Sequence, residues 1–167
     1  IPGFAACWGI SVIHCPYCHG YEVKAAATGI LGNGDVAFHY AQLIRNWTAQ
    51  LTLYTNGKST LTEEQKQKME KHAIAIVEKE IAYLQEEAGQ LQQIVFSDAT
   101  TAAPAVIYAR PEFTQHCAIP AMLGCALTAE GLLQVDALQQ TTVAGIYACG
   151  DNCSAMRSVA NAVAMGN

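Results

Sequence analysis

The sequence lacks three features that mark common classes of binding protein. It has only 9 Lys and Arg against 14 Asp and Glu, a net charge of −5, so it lacks the basic stripe of a nucleic-acid-binding surface. No apolar run approaches the roughly 20 residues that cross a bilayer. Position 1 is not Met, and no charged segment precedes an apolar run, so no signal peptide is predicted. We expect neither nucleic acid nor a membrane as a partner, and we expect a cytoplasmic location.

Cysteine, in contrast, is abundant. The chain has 7 Cys, an odd number, whereas secreted disulfide frameworks usually have an even number in a shorter chain. We therefore predict a reducing compartment, with Cys15 and Cys18 as one working pair. The remaining cysteines, among them Cys7, Cys117 and Cys125, are predicted to be buried small apolar residues.

The segment Cys15–His19 reads Cys-Pro-Tyr-Cys-His. Cysteines with this spacing can cycle between dithiol and disulfide, and the same spacing also binds zinc, for which Cys149 and Cys153 could supply a second pair. Pro16 favours the first turn of a helix, and a helix N-terminus acidifies a thiol. His19 can carry the proton that thiol exchange requires, or it can hydrogen-bond a carbonyl group. These alternatives stay open at this point.

A strand–helix–strand pattern follows the cysteines. The apolar run Ala25–Leu31 predicts a buried parallel strand. A helical stripe covers Asp35–Trp47, and a second strand covers Leu51–Thr55. Between the first strand and the helix, Gly32 permits a tight turn and Gly34 lets the backbone approach a pyrophosphate. This is the core unit of a dinucleotide-binding fold.

The segment after the second strand departs from the usual nucleotide pattern. An acidic residue for a ribose hydroxyl, or arginines for a 2′-phosphate, is expected about 20 residues after the glycines. The sequence instead has Thr55-Asn56-Gly57-Lys58. The identity of the nucleotide therefore stays open.

The middle of the chain predicts further elements around an inserted sheet. Thr62 is a predicted N-cap for a helix that ends at Lys71. Residues Ala73–Val77 are predicted to form another short strand. Three further segments are predicted to be the strands of an antiparallel meander that is inserted between the parallel strands. They are Glu80–Gln85, Leu91–Phe96 and Ala105–Tyr108.

The C-terminal part contains the third motif. Pro111–Gly124 is predicted to be irregular and Leu132–Val135 a short strand. Val143–Asp151 is predicted to be a strand that ends in Gly-Asp, and Ala155–Met165 a helix with Ser154 as its N-cap. A carboxylate at such a strand end can accept hydrogen bonds from a ribityl hydroxyl, although Gly-Asp after a strand is also an ordinary turn.

In this order, the three motifs resemble the low-molecular-weight thioredoxin reductase family of flavoproteins. In that family a Cys-x-x-Cys lies just before the glycines of the NAD(P)H site, as Cys18 precedes Gly32 here. Gly145–Asp151 resembles the family's second FAD motif. Met156–Val159 resembles the segment that runs along the flavin.

The resemblance implies an α/β fold: a Rossmann-like FAD/NAD(P)-binding domain with a parallel sheet and an inserted antiparallel β-meander. It implies that residues 11–110 are the NAD(P)-binding domain and that residues 1–10 and 111–167 are a remnant of the FAD-binding domain. No Gly-x-Gly-x-x-Gly precedes Cys15. We therefore expect the chain to be a fragment that lacks the N-terminal FAD-binding half. On its own, this fragment is expected to bind FAD weakly or not at all and to be inactive.

The function implied is an NAD(P)H-dependent, FAD-linked disulfide reductase, active as a homodimer on a thioredoxin-like protein or a small-molecule disulfide. The implied cofactors are FAD and NADPH, or NADH in its place. The implied catalytic residues are Cys15, Cys18 and His19, and no metal is expected. The residues expected to bind the cofactors are Gly32, Asn33, Gly34, Asp35, Val36, Thr55, Asn56, Gly150, Asp151, Arg157, Ser158 and Val159.

Two departures from the family pattern define the alternatives. The family usually places Asp where His19 stands, and its arginine signature for NADPH is replaced by Asn56-Gly57-Lys58. The run Cys15–Glu22 resembles a sub-branch that includes the dithiol oxidases of disulfide natural products, which pass electrons from a dithiol to flavin and then to oxygen without NADPH. Cys-Pro-Tyr-Cys also occurs in glutaredoxins, but the predicted nucleotide-binding turn that follows it argues against their fold. A zinc- or nucleotide-binding module without redox activity is the remaining alternative.

Overall fold

The computed structural model describes residues Ile1–Asn167. The chain divides into two compact units, Ile1–Arg110 and Pro111–Asn167. The helices are α1 Phe4–Cys7, α2 Pro16–His19, α3 Gly34–Ile44, α4 Glu63–Lys71, α5 Ile119–Met122 and α6 Val159–Met165. The strands are β1 Val12–Ile13, β2 Thr28–Leu31, β3 Leu51–Tyr54, β4 Ala75–Val77, β5 Ile81–Glu87, β6 Gln90–Phe96, β7 Thr101–Ala102 and β8 Val106–Ala109. No helix combines the length and the apolar character needed to cross a membrane.

A parallel sheet forms the centre of the first unit. Its 5 strands follow the order β1-β8-β2-β3-β4, and every neighbouring pair is parallel. α3 connects β2 to β3, and α4 connects β3 to β4, as parallel neighbours require. The predicted α/β class with a Rossmann-like parallel sheet is therefore confirmed.

The strands of this sheet are buried on both faces. Ile30, Leu53 and Tyr108 pack in one apolar cluster with α3 and α4. Tyr54, the residue after Leu53, and Ile107, the residue before Tyr108, pack in a second cluster with β5 and β6. The alternation follows from the period of 2 along a strand. Each fully buried side chain of this size stabilises the fold by about 1.5–3 kcal/mol.

The second sheet of this unit is a three-stranded antiparallel meander, β5-β6-β7. The prediction that Ala105–Tyr108 supplies its third strand is wrong. The third strand is Thr101–Ala102, and Val106–Ala109 is β8, which pairs in parallel with both β1 and β2. All four residues of β8 are buried, and a continuous apolar run of this kind is typical of a central parallel strand.

The N-terminal residues contain more structure than the sequence predicted. Phe4–Cys7 forms α1, and Cys7 is fully buried in the cluster beneath β5 and β6. The backbone carbonyl of Pro2 accepts a 2.9 Å hydrogen bond from the Leu84 amide. Residues 1–10 thus lie within the first unit. Their assignment, with residues 111–167, to an FAD-binding half stays a prediction.

The second unit has a small core and little regular structure. Its buried apolar residues are Cys125, Leu133 and Ala148. The predicted strands Leu132–Val135 and Val143–Asp151 do not form, because their residues find only single bridge partners instead of a continuous neighbouring strand. Residues 150–152 form one 3₁₀ turn.

The C-terminal helix begins later than predicted. The prediction of Ala155 as its start and Ser154 as its N-cap is wrong, because Ser158 caps α6 by accepting a 3.1 Å hydrogen bond from the Asn161 amide. The Ser154 hydroxyl instead accepts a bond from the Met156 amide, which forms a turn before the helix. The segment predicted to be irregular contains the short helix α5.

The burial of the cysteines also differs from the prediction. Cys7 and Cys125 are buried as expected, but Cys117 and Cys149 are exposed and Cys153 is half-buried. The apolar pattern around Cys117 is weak, and the segment that carries it does not join a sheet.

Candidate active site

The dithiol lies at the carboxyl edge of the parallel sheet. β1 ends at Ile13, and the chain continues through His14 to Cys15, which is the N-cap of α2. Pro16 occupies the first turn, as its sequence position predicts. The amides of Cys18 and His19 both donate to the Cys15 carbonyl, at 3.2 and 3.1 Å. This turn brings the two cysteines to one end of a single short helix.

The Cys15 side chain is close enough to Cys18 to affect the Cys18 thiol. Both are free thiols, with Cys15 half-buried and Cys18 exposed. A hydrogen bond with the Cys15 side chain raises the pKa of Cys18, and burial and the Cys15 charge add to the rise. The order in which Cys15 and Cys18 act on a disulfide stays a prediction.

Contacts on both sides hold the dithiol segment in place. The Tyr40 hydroxyl of α3 donates a 2.8 Å hydrogen bond to the His14 carbonyl. The His14 ring stacks on Trp8, with 5.9 Å between centroids. A Cβ at Gly20 would lie 2.2 Å from the Pro16 carbonyl oxygen, so only glycine fits at the end of α2. His19 is exposed at this end, and its role as a proton carrier stays a prediction.

The glycine turn lies at the same edge of the sheet, after β2. Gly32 follows the strand, and a Cβ there would lie 3.4 Å from the Ala37 Cβ. Gly34 begins α3 with φ +60°. Because the first amides of an α-helix are unpaired, this end of α3 could hold an anionic phosphate. Val36 and Asp35 are exposed, and the Asp35 carboxylate accepts a 2.7 Å bond from Gln65.

The side chain of Asn33 connects this turn to the segment after β3. Its Oδ1 accepts hydrogen bonds from the amides of Gly34 and Thr60, at 2.9 and 2.8 Å. Its Nδ2 donates to the Lys58 carbonyl at 2.9 Å. Asn33, a predicted cofactor-binding residue, therefore forms hydrogen bonds within the protein through both its oxygen and its nitrogen.

The residues after β3 are similarly engaged. The Thr55 hydroxyl donates to the Gly57 carbonyl at 2.6 Å, and the Asn56 Oδ1 accepts from the Ile81 amide at 2.7 Å. Residues 55–58 contain no carboxylate that could bind a ribose and no guanidinium that could bind a 2′-phosphate. The one charged group among them is the Lys58 amine. Binding of a dinucleotide at this turn stays a prediction, and residues 55–58 offer little that would distinguish its ribose.

The remaining predicted cofactor residues belong to the second unit. Gly150 has φ +82°, and a Cβ there would lie 3.3 Å from the Ala162 Cβ. Asp151 presents an exposed carboxylate in the 3₁₀ turn. The Arg157 guanidinium lies 4.5 Å from the centre of the Phe113 ring. Ser158 caps α6, and Val159 is exposed at its first position. Their contacts with a flavin stay a prediction.

Two tyrosines that the sequence did not single out lie near Cys15. Burial raises the pKa of Tyr40, Arg110 opposes this rise, and the Cys15 charge adds to it. Burial raises the pKa of Tyr108 to about 12, and the charges of Cys15 and Glu22 contribute. Tyr40 comes from α3 and Tyr108 from β8, so no local motif could have identified them before the topology was known.

No group of three or more His, Cys, Asp or Glu side chains in the structure is arranged to hold a metal ion. A structural zinc site takes four ligands from such side chains. The zinc alternative therefore has no third ligand beside Cys15 and Cys18.

Comparison with known proteins identifies the family. The family model of the pyridine nucleotide-disulphide oxidoreductases matches residues 1–166. Thioredoxin reductase tcpT of Claviceps purpurea is 30% identical over 179 residues, which covers 100% of this chain and 54% of the relative. Thioredoxin reductase aclD of Aspergillus oryzae is 28% identical over 176 residues, with 100% and 56% covered.

Solved structures agree with these relatives. The crystal structure of TrxB from Bacillus anthracis superposes with a TM-score of 0.90 at 28% identity, covering 100% of this chain and 56% of that one. An oxidoreductase from Agrobacterium tumefaciens has a TM-score of 0.86 at 31% identity, with 99% and 56% covered. The chain spans about half the length of the relatives it matches. It belongs to the pyridine nucleotide-disulphide oxidoreductase family and resembles its thioredoxin reductase-like members.

Proposed function

We propose that the full-length protein is an FAD-linked disulfide reductase in which electrons pass from NADPH or NADH through the flavin to the Cys15/Cys18 dithiol. The observation that supports the proposal is a pair of free cysteines, one of which raises the pKa of the other, at the same edge of the parallel sheet as the glycine turn. The substrate is a disulfide, on a thioredoxin-like protein or a small molecule. The proposed protein is cytoplasmic and acts as a homodimer.

Cys15 and Cys18 account for the exchange with the substrate. The Cys15 sulfur attacks one sulfur of the substrate disulfide, the disulfide bond breaks, and a mixed disulfide forms. The Cys18 sulfur then attacks Cys15, which releases the second substrate thiol and leaves a Cys15–Cys18 disulfide. One disulfide is reduced, one is formed, and His19 carries the protons between sulfurs. The flavin, when bound, supplies the two electrons that restore the dithiol.

The glycine turn and the second unit account for cofactor binding in this proposal. The turn around Gly32 and Gly34 would hold the pyrophosphate of the pyridine nucleotide at the start of α3. Asp151 would accept hydrogen bonds from the ribityl chain of FAD, and Arg157, Ser158 and Val159 would lie along the flavin. Because the chain spans about half the length of its relatives, these activities are proposed for the full-length protein.

One specific observation favours a second function, oxidation of a dithiol with oxygen as the final acceptor. The turn's Asn33 is bonded to residues 58–60, and residues 55–58 contain neither an acid nor an arginine. These residues therefore supply no side chain that selects a pyridine nucleotide, which is compatible with a reaction that does not use one. In this reaction a substrate dithiol becomes a disulfide, and O₂ takes up the two electrons and two protons as hydrogen peroxide.

The two functions are separated by anaerobic titration of the full-length protein. NADPH, NADH and a small-molecule dithiol are added separately, and the flavin absorbance is followed. Bleaching by NADPH or NADH supports the reductase. Bleaching by the dithiol alone supports the oxidase, and no bleaching by any of the three contradicts both. A non-redox zinc- or nucleotide-binding module would bind metal or nucleotide without any loss of free thiols on mild oxidation.

A further inference from the structure

Tyr108 carries a hydroxyl group that the fold leaves unpaired. The residue lies within β8 with only 1% of its surface exposed, and its hydroxyl oxygen has no hydrogen-bond partner. A buried hydroxyl without a partner destabilises a protein, whereas Phe would fill the same space without that penalty. Such a group in a native core calls for a role that the resting structure does not show.

The register of the sheet places Tyr108 beside the end of β1, two residues before Cys15. Tyr108 pairs with Ile13 across the β8–β1 ladder, and both side chains pack in the cluster on the α3 side of the sheet. Cys15 follows Ile13 by two residues, after a bend at His14. The charge of Cys15 acts on the buried Tyr108 hydroxyl, so the two side chains lie in the same neighbourhood.

The charges of Cys15 and Glu22 act on Tyr108. The neighbouring parts of the chain also carry Cys18 and His19 on α2, Tyr40 on α3 and Arg110 after β8. The Tyr40 hydroxyl already donates to the His14 carbonyl. The pKa of Tyr108, raised by burial to about 12, keeps its proton in place at neutral pH. Tyr108 is thus a protonated and unoccupied donor on this side of the sheet.

We propose that the Tyr108 hydroxyl donates a hydrogen bond to the Cys15 sulfur when that sulfur is ionised. Tyr108 then stabilises the attacking sulfur of the dithiol from below, while Cys18 acts from the solvent side. A hydrogen bond to a charged acceptor is stronger than one between neutral groups, so ionisation of Cys15 draws the hydroxyl to it. The inference deepens the proposed function, on which it rests for the role of Cys15.

The test is the pH dependence of Cys15 alkylation by iodoacetamide, followed by peptide mass spectrometry in the full-length protein. The measurement uses a Cys18→Ser background, so that only one thiol of the pair reacts. Tyr108→Phe is expected to raise the pH midpoint by about one unit, and to slow alkylation about tenfold at pH values below the midpoint. The matched control is Tyr83→Phe, whose ring lies exposed on β5 and whose midpoint should not change.

An unchanged midpoint in folded Tyr108→Phe protein overturns the inference. If that variant does not fold, 3-fluorotyrosine is placed at position 108 instead. Its phenol is more acidic and therefore a stronger donor, so the pH midpoint of Cys15 alkylation is expected to fall. An unchanged midpoint again overturns the inference. Alkylation requires neither flavin nor turnover. A negative result therefore leaves the proposed function intact, whereas unchanged disulfide turnover in Cys15→Ser removes the proposed function and leaves the titration unaffected.

Discussion

The side-chain oxygen of Asn33 accepts a 2.8 Å hydrogen bond from the backbone amide of Thr60. The same oxygen caps α3, so one side chain joins the glycine turn to the segment after β3. Asn33→Gly removes these bonds and the bond to Lys58. Since a typical hydrogen bond contributes about 0.5–1.5 kcal/mol, we expect the free energy of unfolding to fall by about 2 kcal/mol, measured by urea denaturation.

Asn33→Asp is the matched control for this prediction. Asp keeps the oxygen that accepts from Gly34 and Thr60, and it remains a favourable N-cap. We expect it to lose less than half as much stability as Asn33→Gly. Equal losses in the two variants would show that the amide contacts of Oδ1 are not what stabilises the turn.

The helix α4 begins with a reciprocal pair of hydrogen bonds. The Thr62 hydroxyl accepts from the Gln65 amide at 3.2 Å, and the Gln65 side chain accepts from the Thr62 amide at 2.9 Å. Thr62→Ala should lower the free energy of unfolding by about 1 kcal/mol. Glu70→Ala, on an exposed position of the same helix, should change it by less than about 0.5 kcal/mol. A similar effect of both substitutions would argue against the capping box.

The paired cysteines should be individually essential. In the full-length protein, Cys15→Ser and Cys18→Ser are each expected to abolish turnover of a small-molecule disulfide, because exchange requires attack by one sulfur and resolution by the other. Reduction of the flavin by NADPH, followed by its absorbance, should remain. The control is Cys117→Ser, which replaces an exposed cysteine of the second unit. This variant should reduce the small-molecule disulfide as the wild type does. Normal turnover in either dithiol variant would remove the pair from the reaction.

The ionisation of Tyr108 should affect stability at alkaline pH. Its pKa is about 12 in the folded protein and about 10 in an unfolded chain. Between these values the folded state keeps a proton that the unfolded state has lost, so the free energy of unfolding falls as pH rises through this window. Tyr108→Phe should flatten that fall, measured by urea denaturation at successive pH values. Tyr83→Phe should leave it as in the wild type, and an equal slope in all three proteins would contradict the assignment.

Local patterns predicted the parts of the fold that local interactions determine. The strand before Gly32, the helix α3 after it and the Thr62 cap all lie where their sequence signals indicated. Val106–Ala109 was assigned to the wrong sheet, because a short apolar strand has the same sequence pattern in either sheet and only its neighbours decide between them. Ser154 and Ser158 are chemically equivalent caps, and the turn at Met156 selects the second.

The candidate site shows the same division. Cys15 and Cys18 are recognisable from their spacing, and the structure brings them together in one turn. Tyr40 and Tyr108 are separated from Cys15 by 25 and 93 positions in the chain. They approach it only because α3 packs on a sheet whose order places β8 beside β1. Sequence spacing carries no information about that order.

The chain has two tryptophans, and both adjoin the dithiol segment. Trp8 stacks on His14, and the Trp47 ring lies against Gly20 at the other end of α2. The intrinsic fluorescence of these residues is therefore a built-in optical reporter of this segment. Stopped-flow fluorescence can therefore follow reduction and formation of the Cys15–Cys18 disulfide over time without an added dye.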